Sequence, residues 1–172
     1  MLVARQAARQ QLAAARPSSQ NLPAIVELPV DQVLLVKPIA GHPCGRNYKW
    51  QIPGNSAFVP YSASYKRSET SADYEVSFAD VSVRLYPNSD WAVFATKEGI
   101  NWSSEAKDSG AVTSVTKFGN TVLMNTFMRY PNGAGDVYFY WASHDRFVQV
   151  TFHDAEQDEF LEEYLALYPS TL

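Results

Sequence analysis

The chain has one cysteine, Cys44, among 172 residues. That excludes an intramolecular disulfide and any multi-cysteine zinc or iron–sulfur site. Eight glycines and ten prolines are scattered without a period, which excludes collagen-like and low-complexity sequence. No apolar run is long enough to span a bilayer as a helix. Bases are few, 14 against 18 acids, and the only basic doublet in the body is Lys66-Arg67. Nucleic-acid binding needs a basic face that releases counterions, so no nucleic-acid partner is expected. Catalytic signatures are missing too. There is no Gly-x-Ser-x-Gly elbow, phosphate-cradling glycine loop, dinucleotide fingerprint or His-Glu-x-x-His. No cofactor and no metal are expected.

What remains is 46% apolar and 19% charged, the balance of one globular domain. The net charge of −4 is unevenly spread. Asp154, Glu156, Asp158, Glu159, Glu162 and Glu163 crowd one stretch without a base between them, as on the solvated face of a helix. Residues 1–21 are different again: rich in alanine and glutamine, acid-free, and carrying Arg5, Arg9 and Arg16. As a helix these arginines fall within about 40° of one another. The segment reads as an exposed tail, a juxtamembrane stub or a targeting presequence. Pro17 and Pro23 mark a break, so the domain is placed at 22–172.

The body reads as strands and turns. Tyr48–Ile52 and Phe58–Tyr65 are candidate strands, with the stretch 38–47 as a loop. From Tyr74 to Leu85 apolar residues alternate, with a phase change at Ala79-Asp80 that suggests a two-residue turn or a bulge. Asn88 precedes Trp91, Phe94 and Ala95, a short helix expected to end at Gly99. A polar loop follows, containing the formal glycosylation triplet Asn101-Trp102-Ser103. Gly119-Asn120 is the expected turn between strands 112–118 and 121–129. Val137–Trp141 and Phe147–Phe152 form the clearest hairpin. Pairing 142 with 145 places Val137, Phe139 and Trp141 beside Val148, Val150 and Phe152, with a Ser143-His144 loop. Asp154 is the expected cap of a last helix, whose Phe160, Leu161, Tyr164, Leu165 and Tyr168 form one stripe. The fold class is α+β: an antiparallel sheet of successive hairpins, one short inner helix, and a C-terminal amphipathic helix packed on the sheet.

Few residues point to chemistry. His42 and Cys44 lie two apart, and a histidine that reached the thiol in space would activate it for a hydrolase or transferase. His144-Asp145 and His153-Asp154 are sequence neighbours of a kind used in proton transfer, although a turn and a helix cap account for them. The aromatic run Tyr138-Phe139-Tyr140-Trp141 is the most unusual feature. One face enters the core, and the other presents Tyr138, Tyr140 and Phe147 together. Such a face binds a protein partner or a small apolar or sugar-like ligand, unless a second layer such as residues 53–65 covers it. The sequence therefore favours a non-enzymatic binding module, with tethering at a membrane through its N-terminal side in view. A Cys44 thiol enzyme and a structural domain of a larger assembly are the alternatives.

Overall fold

The computed structural model describes residues 7, 10, 11, 13–50, 57–70, 77–105, 110–128, 135–153 and 156–172, with the backbone alone at 100–105 and 128. Period-two alternation produces the strands. They are β1 (Cys44–Lys49), β2 (Val59–Tyr65), β3 (Ala79–Leu85), β4 (Thr113–Lys117), β5 (Asn120–Met128), β6 (Gly135–Ser143) and β7 (Arg146–His153). They form one seven-stranded sheet in the order β1-β2-β3-β7-β6-β5-β4. Every neighbouring pair is antiparallel. The helices α1 (Val30–Val33, a single turn), α2 (Ser89–Glu105) and α3 (Asp158–Leu167) accompany it. The α+β class is as the sequence indicates. The β3–β7 pairing is a long-range closure that no local pattern announces.

One sheet face holds the larger core. Tyr61, Ala63 and Tyr65 of β2, the valines of β3, Phe139 and Trp141 of β6, and Val148, Val150 and Phe152 of β7 are all buried there. The stripe on α3 packs onto them as expected. Residues 25–39 cross the same face as an irregular strap. Tyrosine hydroxyls hold its backbone. Tyr61 exchanges two bonds with Leu28, Tyr168 donates to the Val33 carbonyl at 2.7 Å, and Tyr65 donates to Leu35. Each such bond contributes about 0.5–1.5 kcal/mol net. This is why a segment with two prolines and little secondary structure stays on the sheet.

The opposite face carries α2. Asn88 Oδ1 accepts the Trp91 N–H at 3.1 Å, the expected N-terminal cap. The helix does not stop at Gly99. It runs to Glu105 and includes the Asn101-Trp102-Ser103 triplet. Gly99 lies over the Phe147 ring, which would be in ordinary contact with an added Cβ at 3.9 Å, so the site does not demand glycine. Packing against the sheet thus outweighs the weak helix propensity of glycine.

Other local expectations change: β1 begins at Cys44, inside the stretch 38–47 read as a loop, and ends at Lys49. Ala79 and Asp80 lie inside β3, so no turn separates them; Tyr74 and Val76 lie outside the described residues. Ala142 pairs with Phe147 and the hairpin turn is His144-Asp145, two residues off the expected register. A shift of two keeps every side chain on its expected face. The last helix starts at Asp158 behind Gln157, not behind Asp154, which lies outside the described residues.

The β4–β5 turn is Phe118-Gly119, with φ of 50° and 74°, and Lys117 pairs with Asn120. A two-residue turn with both φ values positive favours asparagine followed by glycine. A phenylalanine there is strained by about 1–2 kcal/mol. Phe118→Asn is expected to raise stability by about 0.5–1 kcal/mol, read as a higher urea midpoint at unchanged slope. A lower midpoint would show that Phe118 packs against something that offsets its strain.

Candidate functional site

The strand registers lay out the α2 side of the sheet as a grid. One row runs Pro60, Arg84, Phe147, Ala142. The Trp50 N–H donates to the Pro60 carbonyl at 3.0 Å, which adds Trp50 to its end. The next row runs Tyr48, Ser62, Ser82, Gln149, Tyr140. The third runs Arg46, Ser64, Asp80, Thr151, Tyr138. Helix α2 packs on the β6–β7 end of this grid through Trp91, Ala92, Phe94 and Ala95.

That cover decides what the aromatic run can do. Tyr140 and Phe147 are only 5% and 2% exposed, so the open aromatic surface expected from them is closed by α2. Tyr138 stays half-buried at the border, its ring stacked on Tyr140 and its hydroxyl donating to Asp136 Oδ2 at 3.2 Å. The second layer is α2 rather than residues 53–65. From that stretch Phe58 reaches the edge of the cluster, against Tyr86.

The β1–β3 end of the same face has a different character. Trp50 is 52% exposed and Tyr48 39%, with ring centroids 5.0 Å apart, edge to face. The Trp50 indole N–H donates to Ser62 Oγ at 3.0 Å, which fixes the ring against the sheet. Beside this pair lie the partly exposed side chains of Ser62, Ser64, Ser82 and Gln149. Two exposed aromatic rings and a row of partly exposed hydroxyl and amide groups therefore share one face.

A charged centre borders it. Asp136 lies directly across from His153, and Asp80 lies diagonal to it through Thr151. Nδ1 of His153 is 2.8 Å from Asp136 Oδ1, and Nε2 is 2.8 Å from Asp80 Oδ2. Both ring nitrogens face carboxylate oxygens, an arrangement that favours the doubly protonated imidazolium. The two carboxylates differ: the Asp136 side chain is 3% exposed and that of Asp80 43%. Ser77 donates to Asp80 Oδ1 at 2.9 Å. Burial pushes the His153 imidazole down, but the hydrogen bonds and charges of both aspartates outweigh it and leave its pKa raised. Burial likewise pushes Asp80 up, and bonds from His153, Ser64 and Ser77 with the imidazolium charge leave it lowered. Chemically this centre stores a proton and ties β3, β6 and β7 together. With both nitrogens committed, it presents no lone pair to a substrate.

The sequence set His153 beside Asp154; the structure gives it Asp80 and Asp136 instead. The two-residue register error hid this, because the expected pairing places residue 134, not Asp136, opposite His153. Tyr48 and Trp50 were legible as one face of a strand, but nothing marked that face as open. His144 occupies the turn, with φ of 52°. Cys44 and His42 are not joined. The thiol is held between Arg46 O and Asn47 Nδ2, and burial raises its pKa against the Asn47 bond. His42 stacks on Phe78 at 3.6 Å with Nδ1 at the Lys66 carbonyl. Among the described residues no group of three or more metal-ligating side chains converges.

Comparison with protein-family models, with curated proteins and with solved structures finds no match for this chain.

Proposed function

We propose that this chain is a non-enzymatic binding module that takes a sugar-like ligand on the open β1–β3 end of its sheet. The observation that carries the reading is the exposed Tyr48–Trp50 pair beside the partly exposed Ser62, Ser64, Ser82 and Gln149 on one face. A sugar ring has an apolar face for an aromatic ring and a rim of hydroxyls for hydroxyl and amide partners. The indole is already fixed by Ser62, so little side-chain freedom is lost on binding. The raised thiol pKa of Cys44 and the doubly bonded His153 weigh against the thiol-enzyme alternative.

The test is calorimetry against neutral hexasaccharides of glucose, xylose, mannose and N-acetylglucosamine. Wild type is expected to bind at least one of them. Trp50→Ala is expected to weaken that binding about tenfold or more, equivalent to about 1.4 kcal/mol. Its side chain is half exposed, so the variant keeps the wild-type circular dichroism spectrum. Failure of wild type to bind any of the four, or a Trp50→Ala variant that binds equally well, overturns the reading.

A further inference from the structure

We infer that the ligand carries an anionic group, a carboxylate or a sulfate, which seats on Arg84. This rests on the sugar-binding reading and narrows its ligand to acidic sugars.

Arg84 lies in the row that begins at Trp50, separated from it by Pro60. Its guanidinium is stacked between two rings, with Cζ 5.2 Å from the Phe58 centroid and 5.1 Å from the Phe147 centroid. It is also bonded to the Tyr86 hydroxyl. Stacking holds the plane of the group but does not use its N–H edge. Lys37, Lys49, Lys117 and Arg146 each meet a carboxylate. Among the described residues no carboxylate comes within ion-pair distance of Arg84. The residue is partly buried, so water compensates its charge incompletely. A planar, pre-oriented donor fork with an unused edge fits a two-oxygen anion bidentately.

The charge pattern also gives direction. Asp80 lies two rows from Arg84 on the same strand and face, about 13 Å along it at 3.3 Å per residue. His153 compensates one of the two carboxylates that flank it. Arg46 shares the row of Asp80 and is already engaged, so the anion is placed at Arg84 and not at that end. The acidic sugar unit is thus placed beside Trp50 and a neutral unit near Ser64.

The test uses three hexasaccharide probes of one linkage: a neutral galactan, its uronate and its sulfate ester. Wild type is expected to bind the uronate or the sulfate at least tenfold more tightly than the neutral chain, and the tighter probe names the anion. Arg84→Gln is expected to bring the acidic and neutral chains within twofold of each other. Arg84→Lys is expected to keep part of the preference, since a point charge replaces the fork. Equal wild-type affinity for neutral and acidic chains overturns this inference and leaves the sugar-binding reading standing. So does a preference that survives in Arg84→Gln. Binding of none of the three overturns this inference, and failure of the four neutral hexasaccharides as well overturns the sugar-binding reading.

Discussion

His153→Ala is expected to destabilise the protein by about 3–5 kcal/mol, because it removes the cation from a buried carboxylate. The Asp136 side chain is 3% exposed and cannot move into water without opening the sheet. The measurement is a urea titration at pH 6. The paired variant His153→Gln with Asp136→Asn replaces the charges by neutral hydrogen-bonding groups, and is expected to lose much less than the sum of its single variants. Additive losses would contradict the coupling. The pH dependence follows from the same geometry. The His153 pKa is raised above its ordinary 6.5, so its contribution is complete below that value and is lost as pH rises through the raised one. The Asp80 pKa is lowered below 3.8, so its contribution is present above that value and is lost as pH falls through the lowered one. Stability is therefore greatest between the two. His153→Gln is expected to remove the alkaline decline; a curve parallel to that of wild type would show that other groups cause it.

Phe160→Ala is expected to cost about 3–5 kcal/mol. The Phe160 ring is fully buried and meets four others edge-on or tilted: Tyr65, Phe78, Phe152 and Tyr164. Those rings come from β2, β7, α3 and the approach to β3, so they cannot close together around the cavity left behind. Tyr164→Phe is the control. It keeps the ring and removes the hydroxyl that meets Tyr65 at 2.6 Å and Leu35 N–H at 3.3 Å. Its expected loss of about 1–2 kcal/mol belongs to the hydroxyl's bonds with β2 and the strap. Equal losses from the two variants would contradict the view that α3 is held by ring packing.

The hydrophobic pattern carried most of the fold. Alternation in Val81–Leu85, Val137–Trp141 and Val148–Phe152 placed each side chain on its observed face, and the α3 stripe is buried as its spacing implies. Periodicity reports which side of an element is apolar, and that information survived the register error. It does not report what lies opposite. The length of α2 was missed because Gly99 is a local stop signal, while the helix packs on Tyr140, Ala142 and Phe147, far away in sequence. The same helix covers Tyr140 and Phe147, whereas Tyr48 and Trp50 stay exposed. The His153 centre needs the β3–β7–β6 order and the correct hairpin register together. No local pattern supplies both.

The β1–β3 end of the sheet is therefore the place to look for a ligand, and its four-tryptophan chain offers a direct probe. The Trp50 indole N–H is bonded to Ser62 on the open face, and that of Trp141 is bonded to the Tyr168 carbonyl inside the core at 2.7 Å. Proton–nitrogen correlation spectra recorded during titration with the hexasaccharides resolve the two signals. Saturable shifts of the Trp50 indole and of the Ser62, Ser82 and Gln149 amides, with the Trp141 indole unmoved, are the expected result. Shifts confined to the strap and α3, or none with any of the chains, would contradict binding at this face.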